Sequence, residues 1–117
     1  MQRIQRLHSN GRLAEVSIHN NVAYFAGQVA EKSLNQSAYE QTREILSLID
    51  ELLAQIGSHK ANILNAQIFL ADMADYAAMN QAWDEWVDPA SPPSRATVEA
   101  RLALAEWKVE IVITAAL

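Results

Sequence analysis

Arg95 comes directly after Pro92-Pro93-Ser94 and opens a stretch in which Arg95, Thr97, Glu99 and Arg101 alternate with smaller residues. A guanidinium at the start of a strand, behind a stiff turn, can be held in place. Held that way it presents a planar fork matched to a carboxylate by two parallel hydrogen bonds. Spacing alone leaves that reading level with an ordinary salt bridge. Glu110 stands between Val109 and Ile111 in an otherwise apolar stretch. By itself it reads as a solvent-facing strand residue. On strands that neighbour one another, one Arg and one Glu could make an anion site with a general base beside it.

Other chemistry finds less support. His8, His19 and His59 are far apart and show neither HxH nor HExxH spacing, so they do not converge as metal ligands. With no cysteine there is no disulfide, thiol nucleophile or thiolate site, and no metal or cofactor is expected. No Gly-rich phosphate loop and no G-x-S-x-G elbow is present. Trp83 and Trp86, three positions apart on a helix, read as packing onto the sheet or its edge and not as a base-stacking platform.

The 117 residues make one domain, residues 1–117, half of them hydrophobic and 20% charged. Nine basic against fourteen acidic side chains leave a net charge of −5, with no local run of Lys and Arg. That balance argues against a nucleic-acid surface, whose affinity comes from neutralising phosphates. Apolar stretches fall short of the ~20 residues of a membrane span, and Met1–His8 has no apolar region behind it to make a signal peptide. No membrane partner and a cytoplasmic setting are expected.

The elements that must position these residues follow from period and punctuation. Glu15–His19 alternates, Asn20-Asn21 is a tight turn, and Val22–Ala26 returns as a strand ended by Gly27; Ile4–Leu7 adds a short strand before it. Residues 37–56 carry Ile45, Leu48, Ile49, Leu52, Leu53 and Ile56 on one helical stripe, with Ser37 or Ser33 as cap and Gly57 just past the end. Ile63–Ala71 reads as a strand with Leu64, Ala66, Ile68 and Leu70 inward. Asp72 or Asp75 caps a second helix whose apolar positions are Tyr76, Met79, Trp83 and Val87. Pro89–Pro93 forms a loop, Arg95–Arg101 alternates, and Trp107–Ala116 is a β-branched final strand. Two helices on one face of a mixed sheet give an α+β two-layer sandwich. The other face is half apolar, which predicts burial against further copies of the chain.

At these residues the sequence resembles the RidA/YjgF family, also called L-PSP or "endoribonuclease L-PSP", over about Val16 to Ala116. Phe25-Ala26-Gly27-Gln28, Ile68–Asp72 with Met79-Asn80, Pro93–Glu99 and Lys108–Ile111 carry it in order and spacing. The segment Phe69–Val87 is particularly similar to the short YoaB-like bacterial branch. The resemblance implies a chorismate-mutase-like fold assembled as a homotrimer, with a central barrel of sheets, outward helices and three clefts between subunits. It also implies hydrolysis of reactive enamine or imine intermediates, such as 2-aminoacrylate, to 2-keto acids and ammonia.

Carried over residue by residue, Arg95 falls on the family's carboxylate-binding Arg, and Glu110, at the family's separation from it, on the water-handling Glu. Asn80 falls on the cleft-lining Asn and Gly27 on the backbone beside the ligand. Three departures go with this: the family's cleft Tyr is replaced near Leu13, its Ser before Gly27 is Ala26, and its Cys two residues after the Arg is Thr97. The electrostatic anchor persists, Thr97 keeps a hydroxyl and a backbone N–H, and the polar shell around them is thinner. Three functions are in competition. An imine deaminase uses Arg95 and Glu110 together; a trimeric binder of small carboxylates would explain Leu13 and Ala26. A ribonuclease or translation inhibitor is opposed by the acidic balance and the missing His pair.

Overall fold

A computed structural model describes residues 3–117. The hairpin forms as its turn residues dictate. β1 (Gln5–Leu7) pairs with β2 (Val16–His19), and β2 pairs with β3 (Val22–Phe25) from Val16↔Phe25 to His19↔Val22. Asn20 and Asn21 sit at φ 54° and 63°, the two positive values that a two-residue hairpin turn matching the strand twist requires. A two-residue strand that periodicity could not reveal, β4 (Gln28–Val29), follows.

α1 (Ala38–Gln55) starts at Ser37, whose Oγ accepts the Glu40 N–H at 3.1 Å, so Ser37 and not Ser33 is the cap. Gly57 takes φ +74°, and the Ser58 and Gly57 N–H groups bond back to Leu53 and Ala54, closing the helix end in a left-handed turn. Ser33 instead belongs to a loop tied to α1 by Glu44. That carboxylate accepts the N–H groups of Glu31, Lys32 and Ser33 and the Ser33 hydroxyl, at 2.6–3.2 Å. Burial pushes Glu44 up, but the Ser33 hydroxyl and the three N–H donors outweigh it and hold its pKa down at about 2.

β5 (Ile63–Leu70) departs from simple alternation. Its register against the last strand shifts between Ile63 and Asn65, a bulge that lets Ile63 and Ala66 both face the core. Leu64, expected inward, is half exposed as a result. Asp72 caps a single 3₁₀ turn, Met73–Asp75, by accepting the Ala74 N–H, and α2 (Tyr76–Trp86) follows with no side-chain cap from Asp75. Met79, Ala82 and Trp83 are its buried residues, whereas Tyr76 is 42% exposed and no part of the core. β6 (Ser94–Glu99) starts one residue before and ends two residues before the Arg95–Arg101 pattern, and β7 (Val109–Ala116) starts two residues after Trp107. Trp107 stays outside β7, its indole N–H donating to the Ala30 carbonyl.

The strand order is β1-β2-β3-β7-β5-β6, with β4 on β7 beyond the end of β3; β5 and β6 run parallel and all other pairs antiparallel. Both helices join one core on one face of this mixed sheet. There Ile45, Leu46, Ile49 and Leu53 of α1 and Met79 and Trp83 of α2 meet Val16, Ala66, Ile68, Leu70, Ile111 and Ile113 of the strands. The opposite face is uncovered in the single chain and carries Tyr24 and Val98, 54% and 43% exposed, beside half-buried Val22, Phe69 and Val112. Among the described residues no helix is long and apolar enough to cross a membrane.

Candidate functional site

Arg95 pairs with Ala66 and Thr97 with Ile68 across the parallel β5–β6 ladder, so both side chains rise on the helix-bearing face. There α2 lies over them. Tyr76, Met79, Asn80 and Trp83 recur at helical spacing and point one face at the strand. The guanidinium carbon of Arg95 is 5.3 Å from the Trp83 ring centre and 5.9 Å from that of Tyr76. Its Nη2 donates to the Tyr76 phenol oxygen at 3.3 Å, and its Nη1 reaches the Met79 sulfur at 3.9 Å. Two ring faces and two polar contacts restrict a side chain that would otherwise lose ~2 kcal/mol of rotamer entropy on binding. No carboxylate among the described residues pairs with Arg95.

Asn80 stands one turn beyond Tyr76 on the same helix face, and its side-chain amide, then the Arg95 charge, hold Tyr76 below its ordinary pKa against burial and the Asp84 carboxylate. Thr97 lies two residues from Arg95 on the same side of β6, and its hydroxyl oxygen is buried with no hydrogen-bond partner among the described residues. Arg95, Asn80 and Thr97 therefore belong together. The sequence reading overlooked Tyr76, Met79 and Trp83 as the holders of Arg95. Their spacing was legible, but it matched core packing equally well. Trp83 does pack, with its ring centre 5.4 Å from that of Trp86, whose indole N–H donates to Asp50 of α1 at 2.9 Å.

Glu110 belongs to a second group. It pairs with Phe69 on one side and Val29 on the other, between Val109 and Ile111, both fully buried under the helices. Alternation therefore sends its side chain to the uncovered face. The carboxylate lies across Gly27: a Cβ built there would come within 2.9 Å of the Glu110 Cδ and overlap one carboxylate oxygen. Only glycine leaves that space. The backbone beside it is fixed by Gln28, buried, whose side-chain amide donates to Glu15 at 2.8 Å and to the Ala26 carbonyl at 3.0 Å. Ala26 donates its N–H to the Glu15 carbonyl and offers no hydroxyl. Gln28 escaped the sequence reading because its strand is two residues long.

The two groups do not meet within one chain. β5 lies between β6 and β7, so the strands of Arg95 and Glu110 are not neighbours, contrary to the expectation from their order, and the two side chains point to opposite faces. Leu13 is 49% exposed, and its apolar side chain can offer neither group a hydrogen bond. A groove of about 260 Å³ beside Gly27 is lined by Glu15, Glu31 and Glu51 with His8, whose ring nitrogen is 2.7 Å from the Gln55 side-chain oxygen. Three carboxylates make it a poor place for an anion. Among the described residues no cluster of three His, Cys, Asp or Glu side chains could hold a metal ion.

Residues 3–117 match the family model described as Endoribonuclease L-PSP. The chain is 72% identical over 112 residues to a RutC family protein of Haemophilus influenzae, covering 96% of this chain and 97% of that protein. It is 47% identical to the RutC family protein YoaB of Escherichia coli, covering 97% of each. The crystal structure of a YjgF-family protein from Neisseria meningitidis superposes with a TM-score of 0.94 at 46% identity, over 97% of this chain and 94% of that one. More distantly, the chloroplastic Reactive Intermediate Deaminase A of Arabidopsis thaliana is 27% identical over 97 residues, covering 79% of this chain and 51% of that protein.

Proposed function

The chain belongs to the endoribonuclease L-PSP family, which includes reactive intermediate deaminases, and from that premise we propose that it hydrolyses small imines derived from amino acids. The products are a 2-keto acid and ammonia. The observation that carries the reading is the Arg95 guanidinium, braced by Trp83 and Tyr76 and free of any carboxylate among the described residues. A guanidinium held in place without an internal counter-ion is organised for an external one.

Because Glu110 faces away from Arg95 in its own chain, the base for each Arg95 comes from a second copy. A head-to-tail contact that closes on itself makes a ring, and the family resemblance sets its size at three. The uncovered sheet face, with Val22, Tyr24, Phe69, Val98 and Val112, supplies the apolar area for that ring's interior. In the cleft so formed, the substrate carboxylate takes two N–H groups of Arg95. Glu110 of the second copy accepts a proton from water as the water oxygen bonds to the imine carbon. The C=N electron pair moves to nitrogen, which takes that proton back from Glu110 to give the amino alcohol. Glu110 then accepts the new hydroxyl's proton and passes it to the nitrogen as the C–N bond breaks, so ammonia leaves and the carbonyl of the keto acid forms. Asn80 lines the wall, Thr97 offers its unpartnered hydroxyl and backbone N–H, and Gly27 with Ala26 lets the ligand approach the backbone. No cofactor takes part, and the setting is cytoplasmic.

Ala26 and the position of Leu13 favour a second reading, a trimer that holds small carboxylates without turnover, since hydroxyls that would hold water are missing there. The ribonuclease of the family's description is opposed by the −5 charge and the lack of a histidine pair. Ammonia release from an enzymatically generated imine decides between the first two. Release above the buffer rate that Arg95→Ala abolishes supports the deaminase. Tight keto-acid binding with no acceleration supports the binder.

A further inference from the structure

The phenol oxygen of Tyr76 accepts from Arg95 Nη2 at 3.3 Å, and Asn80 stands one turn along the same face of α2. The phenol's own proton is a remaining donor, and no acceptor among the described residues takes it. The residue is also 42% exposed, so this is not a buried group satisfied elsewhere. The arrangement is an O–H donor fixed from behind, beside a cation, and open in front.

Arg95 narrows what the donor meets. Its five N–H groups are partly used: one on Nη2 goes to Tyr76, and one on Nη1 to the Met79 sulfur. A carboxylate gripped by the remaining N–H groups therefore sits on the same nitrogen that holds the phenol. The carboxylate oxygen on that nitrogen comes closest to the phenol, and the next polar position along the ligand is the substituent on the carbon beside the carboxylate. A plain alkanoate has only hydrogens there. A 2-keto acid has an oxygen, and a 2-imino acid a nitrogen, each a hydrogen-bond acceptor in the carboxylate plane.

We propose that Tyr76 is a specificity-determining residue of the Arg95 site, donating its phenol proton to the carbonyl oxygen or imine nitrogen next to the bound carboxylate and so selecting 2-keto and 2-imino acids over simple carboxylates. The proposal deepens the reading given above and rests on it. The Asn80 amide and then the Arg95 charge hold the Tyr76 pKa below its ordinary value, which makes its proton a stronger hydrogen-bond donor. Asp84 is the carboxylate that opposes this shift, and Arg95 the cation that favours it.

The test is calorimetric binding of 2-ketobutyrate and of butyrate to the intact protein, for wild type, Tyr76→Phe and Arg95→Ala. Phenylalanine keeps the ring against the guanidinium, and the exposed position gives no reason for the variant to unfold. Wild type is expected to prefer 2-ketobutyrate. Tyr76→Phe should lose about 5-fold in affinity for the keto acid beyond any loss for butyrate, the worth of one hydrogen bond; the loss common to both ligands reads the missing contact from Arg95 to the phenol. Arg95→Ala should lose both ligands. Unchanged keto-acid affinity in Tyr76→Phe overturns the proposal while leaving the Arg95 site standing. Equal loss of both ligands in that variant also overturns it, since Tyr76 would then merely position Arg95. Wild type that binds neither ligand, or Arg95→Ala that binds both as well as wild type does, removes the Arg95 site and the proposal with it.

Discussion

Arg95 is held by side chains laid over it from α2, Tyr76, Met79 and Trp83, whereas Glu110 owes its place to a side chain that is missing at Gly27. The difference is between a cage and a gap. A cage of several weak contacts, each worth ~1 kcal/mol or less, degrades gradually as members are removed. A gap that one methyl would fill fails at once. The two halves also differ in chemistry: the cage presents a fixed cation for recognition, and the gap presents a carboxylate that can take a proton. Each half is complete in its own surroundings, and each faces away from the other in a single chain. In the proposed site, binding and chemistry should therefore be separable by substitution.

The largest effect should come from removing the cation. Arg95→Ala loses a bidentate contact whose two charge-assisted bonds are each worth about 1.5–3 kcal/mol, so keto-acid binding and turnover should both fall by 100-fold or more, roughly. Arg95→Lys keeps the charge without the fork and should fall between, measured by the same calorimetry and ammonia assay. Neither should unfold the chain, because Arg95 sits at the edge strand outside the buried cluster.

Breaking the other half should leave recognition alone. Glu110→Gln keeps size and removes the base, so turnover should drop by about 100-fold or more while keto-acid affinity changes little. Gly27→Ala is the sharper comparison. The added methyl pushes the Glu110 carboxylate aside, and a displaced base should cost about 10- to 100-fold in turnover with binding kept. If Gly27→Ala instead weakens binding as strongly as Arg95→Ala does, the two halves are not separable.

A control lies away from both. Glu44 tethers the loop of Glu31–Ser33 to α1, and Glu44→Gln puts an amide N–H against backbone donors, costing about 2 kcal/mol at neutral pH. Because the folded-state pKa of Glu44 is depressed, this stabilisation is fully present above the unfolded value of 4.5 and is lost as pH falls through about 2. Chemical unfolding of both proteins should show the gap closing across that window. Activity per folded molecule should stay near wild type.

Much of the fold was legible because local chemistry dictated it. Asn20-Asn21, Ser37 and Gly57 each do what their residue type favours. Leu64 was misread because a bulge changes which residues share a face, and nothing in a hydrophobic pattern marks one. Tyr76 was read as core because helical spacing tells which residues share a face, and not what that face meets. Arg95 and Glu110 both lie in strands, as their alternating surroundings indicate, but their placement on opposite faces needs the sheet order. That β5 falls between β6 and β7 is a fact of topology that chain order does not carry.

The proposed cleft joins Arg95 of one copy to Glu110 of another, and mixing two inactive variants tests that pairing. Arg95→Ala and Glu110→Gln chains are unfolded together, refolded as a one-to-one mixture, and assayed for ammonia release from a generated imine. Random assembly in a closed head-to-tail ring gives about a quarter of the clefts an intact Arg95 and an intact Glu110, from different chains. The mixture should therefore recover about a quarter of wild-type activity, while each variant refolded alone stays inactive. Activity that remains at the mean of the two variants would contradict a site built between copies.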